Sequence, residues 1–187
     1  MAKLIYATLA SLDGYIADEH GLFDWAAPDA DVHGFINDLV RPQGLQLYGR
    51  RMYEVMSVWQ SDFPHPEHPA YLHDFAAIWR NTEKIVFSTT LPAATTPRTR
   101  IERSFDPQLV RALKQEQQGE IGIGGAQIAA QALQVGLVDE YHLFVAPVIV
   151  GAGTPALPDG LRSPLILLDT RRFAGGMVYL RYAFANP

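Results

Sequence analysis

Residues 120–127 read Glu120-Ile121-Gly122-Ile123-Gly124-Gly125-Ala126-Gln127. Glu120 to Ile123 has the apolar density of a buried strand. Gly124-Gly125 interrupts it, and Ala126 to Val135 carries good helix formers. A strand that turns through glycine directly into a helix is the building unit of a parallel α/β sheet. Such a turn also has chemical potential. A helix N-terminus presents free N–H groups and the positive end of a dipole, and glycine lets a phosphate approach the backbone. The run is not the full Gly-x-Gly-x-x-Gly fingerprint, because the third glycine would fall at Gln127 or Ile128. Taken alone it reads equally well as a simple tight turn.

Working outward, the same alternation recurs. On the N-terminal side, Lys3 to Ser11 is an apolar strand, Asp13-Gly14 marks a turn, and Tyr15 to Ala17 continues extended. Asp18 to Pro28 is loop. Asp31 to Val40 has Val32, Phe35, Ile36 and Leu39 at helical spacing and is ended by Arg41-Pro42-Gln43-Gly44. Leu45 to Tyr48 is a short strand, and Gly49 opens a helix through Trp59. A Pro/His-rich loop covers Ser61 to Pro69, and Ala70 to Trp79 reads as helix. Lys84 to Ser88 is a strand, Leu91 to Thr99 a Pro/Thr-rich connection, and Pro107 to Gln117 a helix with Leu109, Val110 and Leu113 as its stripe. On the C-terminal side, Tyr141 to Val150 is strongly strand-like, and Leu165 to Asp169 with Met177 to Phe184 suggests an antiparallel pair. The pattern predicts one α/β domain over residues 1–187, with a mainly parallel central sheet, helices on both faces and antiparallel C-terminal strands.

The totals narrow the function classes. A chain of 187 residues fits one domain with a substantial core. Fifteen basic against twenty acidic residues give a net charge of −5, which offers no electrostatic footprint for nucleic acid or an anionic membrane. There is no cysteine, so disulfides, thiolate metal sites and cysteine nucleophiles are excluded. Leu4 to Ala10, broken by Tyr6 and Thr8 and followed by Ser11 and Asp13, reads as a buried strand rather than a signal peptide. No stretch approaches the roughly 18 apolar residues of a bilayer span. The expected location is the cytoplasm.

Two further strand ends could carry chemistry. Leu47-Tyr48-Gly49-Arg50-Arg51 combines a glycine with two fork-shaped cations, which suits phosphate, or equally a tight turn with solvated arginines. Phe87-Ser88-Thr89-Thr90 places three hydroxyls where a phosphate or ribose could bind, although a Ser/Thr turn looks the same. Together with Gly124-Gly125, the three junctions would serve one pyrophosphate plus one more phosphate, which describes a phosphorylated dinucleotide. The six histidines are His20, His33, His65, His68, His73 and His142. His65, His68 and His73 cluster in sequence, but Pro64, Pro66 and Pro69 prevent regular helix there, so a solvated loop is preferred to a metal site. No metal is expected. Asp29 or Asp31 suits the cap of the helix that follows, and a proton-donating carboxyl is the sharper alternative.

These residues resemble the dihydrofolate reductase-like superfamily, in particular the reductase domain of riboflavin biosynthesis and its stand-alone bacterial relatives. The likeness runs from Lys3 to about Phe184. It rests on Ser11-Leu12-Asp13-Gly14-Tyr15-Ile16-Ala17, on Gly49-Arg50-Arg51-Met52-Tyr53-Glu54, and on Lys84 to Ser88. Most diagnostic are Gly124-Gly125-Ala126 running on to Ala132-Leu133-Gln134-Val135-Gly136-Leu137-Val138-Asp139-Glu140, and Ala146-Pro147-Val148-Ile149-Val150-Gly151-Ala152-Gly153.

The resemblance implies a dihydrofolate reductase-like three-layer sandwich that binds NADPH. It implies that Ala7, Thr8 and Ile16 border the nicotinamide, and that Gly49, Arg50 and Arg51 contact cofactor phosphates. Ser88 and Thr89 would lie near the adenosine 2′-phosphate, and Gly124, Gly125, Ala126 and Gln127 would receive the pyrophosphate. Three departures separate the chain from true dihydrofolate reductases: Met52 replaces their threonine, Ala129 their tyrosine, and Ala30 stands where their acid follows Trp25 and Pro28. Asp31 precedes Phe35 by four, as the family acid precedes its aromatic, so Asp31 is the candidate catalytic acid. Trp25 and Phe35 are candidates to stack on a flat substrate ring. The expected activity is an NADPH-dependent reduction of a small heterocycle, resembling that of 5-amino-6-(5-phosphoribosylamino)uracil. Dihydrofolate reduction, a nucleotide-binding protein without catalysis, and a structural protein without nucleotide are the alternatives. A homodimer is expected by family analogy, with Tyr141 to Val150 and the terminal strands as its surface.

Overall fold

The computed structural model describes residues 1–185. Ten strands and five helices follow in the order β1 (Leu4–Ala10), β2 (Tyr15–Asp18), α1 (Ala30–Val40), β3 (Gln43–Gly49), α2 (Arg50–Met56), α3 (Ala70–Asn81), β4 (Glu83–Phe87), β5 (Thr99–Glu102), α4 (Pro107–Glu116), β6 (Glu120–Gly124), α5 (Ala126–Gln134), β7 (Glu140–Val145), β8 (Gly153–Pro155), β9 (Leu165–Arg172) and β10 (Val178–Phe184). Eight strands form one sheet in the order β5-β4-β3-β6-β1-β7-β10-β9, and β2 with β8 makes a separate two-stranded ribbon. The six strands from β5 to β7 are mutually parallel. β10 runs antiparallel to β7, and β9 antiparallel to β10.

Helices cover both faces. On one, Leu4, Tyr6, Leu47, Ile121 and Ile123 pack with Val110 and Leu113 of α4 and Ile128, Ala129 and Ala132 of α5. On the other, Val32 of α1 joins Phe144 and Tyr179, while Tyr53 of α2 joins Tyr48 and Val86. A strand buried on both faces has no polar side to show, which is why Leu4-Ile5-Tyr6 is uniformly buried rather than alternating.

The helix ends follow local chemistry. Asp29 caps α1 by accepting from the Val32 amide, and Asp106 caps α4, with Pro107 at the first helical position. At the end of α5, Gly136 takes φ +65°, its N–H reaches the Leu133 carbonyl and the Leu137 N–H reaches Ala132. That is a Schellman motif, and it explains the Val135-Gly136-Leu137 sequence.

Several expected boundaries move. The helix from Gly49 through Trp59 ends at Met56 and continues as a 3-10 turn over Ser57–Gln60. β5 emerges at the end of the Pro/Thr-rich connection, as an edge strand paired with β4 alone. The strand expected over Tyr141 to Val150 stops at Val145, since Pro147 has no N–H for a ladder. Lying between β1 and β10, β7 has no free edge for a second subunit to pair with.

Candidate active site at the carboxyl ends of the parallel strands

The chain leaves β3 and β1 towards helices on the α1 face, but leaves β6 towards α5 on the opposite face. β6 therefore lies between two neighbours whose connections part from it, at β3/β6 and at β6/β1. Open α/β sheets take their ligands at such points.

The three sequence-predicted junctions meet there. Register pairs Tyr48 with Gly124 and Gly49 with Phe87, so Gly124-Gly125, Gly49 and Ser88 end three adjacent strands at one level. The glycines are a steric requirement. A side chain on Gly124 would put its Cβ 2.9 Å from the Tyr48 ring and 3.2 Å from Met52 Cγ. Gly125 takes φ +103°, and a Cβ there would lie 3.8 Å from the Gly49 nitrogen. Two backbone turns thus come close together, with Met52 Cβ (3.4 Å) the nearest side-chain atom to that position, and glycine lets an anion approach the backbone there. Ala126 and Gln127 begin the nine-residue α5, with Gln127 exposed.

The two arginines differ. Arg50 is spent on the protein: Nε donates to Glu54 (2.7 Å) and Nη1 to Thr90 Oγ1 (2.7 Å). Arg51 is exposed and makes no ion pair among the described residues. It faces the Asp18–Gly21 turn across an open cleft of about 720 Å³ that Gly153 and Thr154 complete. Because α2 is only seven residues long, Arg51 and the Gly49 backbone, rather than a helix dipole, are the attraction for anions at this junction. Ser88 is buried, and its Oγ accepts from the Thr90 and Leu91 amides; Thr89 is exposed at the tip of that turn.

Ala7 and Thr8 lie just beyond the end of β6. The β1–β6 ladder stops at Tyr6–Ile123, whereas the β1–β7 ladder continues to Ala10–Val145, so from Ala7 onward β1 has a strand partner on one side only. Ile16 sits in β2, half-buried where the β2–β8 register shifts. The Asp13 carboxylate holds that ribbon by accepting from the Val150 and Gly151 amides. Its hydrogen bonds, led by Ser11, outweigh desolvation and lower its pKa.

The remaining candidates do not gather at the cradle. Asp31 is exposed in the first turn of α1. Trp25, half-buried, donates from Nε1 to the Leu22 carbonyl. Phe35 packs edge-on to Tyr179 (4.9 Å) and against Phe144 and Phe173, with the Arg171 guanidinium 4.8 Å over its ring. Its ring is already enclosed by aromatic neighbours on the β7/β10 side of α1. Sequence reasoning missed the supports. Arg103 donates to the Ser88, Leu91 and Pro92 carbonyls, and Tyr53 Oη receives the Thr95 and Thr96 amides. Nothing in local sequence announces such long-range contacts.

The model of the RibD C-terminal domain matches residues 2–179. This chain belongs to that family. The family is that of a reductase domain. YyaP of Bacillus subtilis is 30% identical over 182 residues, spanning 96% of this chain and 94% of that one. A putative riboflavin biosynthesis protein from Shewanella sp. PV-4 superposes with a TM-score of 0.77 at 20% identity, all of both chains being covered. A dihydrofolate reductase from Enterococcus faecalis, complexed with NADP(H), gives a TM-score of 0.67 at 14% identity, covering 98% of this chain and 97% of that one. The dihydrofolate reductase-like fold read from the sequence is thereby established. No helix among the described residues is long and apolar enough to cross a membrane.

Proposed function

We propose that this protein is an NADPH-dependent reductase of a small heterocycle, of the type that reduces 5-amino-6-(5-phosphoribosylamino)uracil. The adjacency of the β4, β3 and β6 ends carries the reading. Neighbouring strands lie about 4.8 Å apart, so the three ends span roughly 10 Å, the scale of a pyrophosphate with one further phosphate. The bare turns at Gly49 and Gly124-Gly125 fit such a group.

Bound NADPH would supply the hydride. The chain would do the rest. The amides of Gly124, Gly125, Ala126 and Gln127 would hold the pyrophosphate, with Gly49 and Arg51 beside them. Arg50 would brace the turn through Thr90. Ser88 and Thr89 would meet the 2′-phosphate, and Ala7, Thr8 and Ile16 would border the nicotinamide. Asp31 is the carboxyl proposed to relay a proton from solvent, and Trp25 and Phe35 the aromatics proposed to shape the substrate side. A second subunit is proposed to join along β9, the sheet edge, where Leu165 to Leu168 are all exposed. The proposed location is the cytoplasm. The fold likeness to the Enterococcus enzyme favours dihydrofolate as a second substrate reading, which Met52, Ala129 and Ala30 oppose.

NADPH titration, read from the fluorescence of Trp25 and Trp59 with NADH as comparator, tests the proposal. A charge-assisted hydrogen bond is worth about 1.5–3 kcal/mol, so NADPH should bind at least about tenfold more tightly. No binding by calorimetry overturns the reading. Binding without NADPH oxidation by the pyrimidine or by dihydrofolate leaves a nucleotide-binding module.

A further inference from the structure

The chain contains two Asp-Gly dipeptides, Asp13-Gly14 and Asp159-Gly160. This pair of residues carries its own chemistry. The aspartyl Cγ is within reach of the amide nitrogen of the next residue, and attack by that nitrogen closes a five-membered ring. Glycine has no Cβ, so it leaves the nitrogen unshielded and the backbone free to turn towards the side chain. By sequence the two dipeptides are equivalent. Both glycines take a positive φ, +89° at Gly14 and +75° at Gly160, and neither would crowd a Cβ. Hydrogen bonding, not space, is what tells them apart.

At Asp13-Gly14 both reacting groups are held. The Gly14 N–H donates to the Ser11 carbonyl (2.9 Å), and the Asp13 carboxylate accepts from the Val150 (3.2 Å) and Gly151 (2.8 Å) amides. At Asp159-Gly160, between β8 and β9, neither is. Both residues are exposed at the centre of the Pro158–Leu161 turn, which is closed by one long bond from the Leu161 N–H to the Pro158 carbonyl (3.4 Å). Among the described residues the Asp159 carboxylate has no hydrogen-bond or ion-pair partner, and the Gly160 N–H has no acceptor. Backbone at an exposed turn tip with so few bonds opens at the low end of the local-unfolding scale.

We propose that Asp159-Gly160 is a modification site: in the folded chain it isomerises spontaneously to isoaspartate, which makes the aged protein a substrate for a methyltransferase that esterifies isoaspartyl carboxylates. The reaction needs no oxidant or reductant. The Gly160 nitrogen bonds to Asp159 Cγ and loses its proton, and a carboxyl oxygen leaves as water, giving a succinimide. Water then adds to the ring. Opening of the N–Cγ bond restores aspartate. Opening of the bond between the nitrogen and the original peptide carbonyl carbon runs the main chain through Cβ and Cγ and frees the α-carboxylate. The same segment supports the fold. The Ala156 carbonyl accepts from Tyr6 Oη (2.8 Å), the Ala156 N–H donates to the Gly14 carbonyl (2.9 Å), and Leu157 and Leu161 pack on the core. An extra main-chain methylene at residue 159 falls between those two leucines.

Ageing of the full-length chain at neutral pH, folded and in guanidinium chloride, tests this, and runs until the denatured sample has converted half of both dipeptides. Conversion at each position is read with Asp-N endoproteinase, which cuts before aspartate and not before isoaspartate. Total conversion is read by methyl transfer from S-adenosylmethionine with a purified isoaspartyl methyltransferase. One hydrogen bond is worth a factor of about two to ten, and the Gly14 bond and both Asp13 bonds must open first, so the folded chain should convert Asp159 at least about tenfold faster than Asp13. Asp159→Glu, which keeps the charge but cannot close a five-membered ring, should remove most methyl acceptance from the folded sample. Equal conversion of the two dipeptides in the folded chain overturns the proposal, as does an Asp159 that stays aspartate there while it converts in denaturant. Methyl acceptance that survives Asp159→Glu overturns it too, since the modified residue then lies elsewhere.

Discussion

At Glu140, the first residue of β7, a carboxylate is 2% exposed yet held ionised. Arg181 donates to it through Nε (2.7 Å) and Nη2 (3.1 Å), Lys3 through Nζ, and His142 lies 3.0 Å away. Burial by itself would raise its pKa, but the bonds from Arg181, His142 and Lys3 prevail and hold it at about 2. A carboxyl whose folded pKa lies below its unfolded value stabilises the fold above the unfolded value and loses that contribution as pH falls. The unfolded reference is 4.5, so this contribution should disappear between about pH 4.5 and pH 2. His142, lowered by burial against its bond to Glu140, adds a loss of the same sign that begins near pH 6.5. Urea denaturation as a function of pH should show both; stability that holds flat down to pH 3 would contradict the assignment. Glu140→Gln leaves Arg181 without its counter-charge and should cost about 3–5 kcal/mol at pH 7. Its NADPH affinity should change little, because Glu140 begins β7 level with Ile5, two strands over from the Gly124-Gly125 turn of β6. None of this was legible beforehand. Lys3 and Glu140 stand 137 positions apart, and His142 read as one histidine among six.

Among the elements, the strand–glycine–helix passage through residues 120–127 was legible because each of its signals is local. What stayed hidden is why two glycines are needed. Gly124 makes room for the Tyr48 ring from the next strand, while Gly125 supplies a positive φ, so they serve different constraints. Gly124→Ala should destabilise by about 1–3 kcal/mol through overpacking against Tyr48 and Met52. Gly125→Ala should cost a similar 1–3 kcal/mol in backbone strain. Both should weaken NADPH binding. Gly136→Ala is the control: its φ is +65° with nothing within 4 Å of a new Cβ, so it should cost about 1–2 kcal/mol and leave the NADPH titration unchanged. Paired thermal unfolding and cofactor titration separate the cases; equal NADPH affinity in all three variants would remove Gly124-Gly125 from the site. β5 escaped sequence reasoning for a physical reason. Four half-exposed or exposed residues after a Pro/Thr-rich stretch carry no period, and only pairing with β4 makes them a strand.

For the whole molecule, the decisive feature is which strand is left at the edge. β9 pairs only with β10, and all eight of its residues are exposed, among them Ile166 at 56% and Leu167 at 52%. An apolar edge with free N–H and C=O groups is normally covered or charged, and a second copy covers it in the proposed dimer. Leu167→Lys should shift sedimentation at micromolar concentration from a dimer to the 20.7 kDa monomer without altering the fold. A wild-type chain that sediments as a monomer would end the dimer proposal. From the sequence, Tyr141 to Val150 looked as suitable a partner surface as the terminal strands, because apolar density is the same in a central strand and a naked edge. The sequence by itself determined the α/β class, the mainly parallel sheet with its antiparallel finish, and the turns at the ends of β3, β4 and β6. These follow from periodicity, glycine and capping, which act within a few residues. Only the tertiary structure decided that the three turns end neighbouring strands, that Arg51 rather than Arg50 makes no ion pair among the described residues, and that Phe35 packs among Phe144, Phe173 and Tyr179. Those outcomes depend on strand order and on the face each helix takes, which arise from packing between residues remote in the chain.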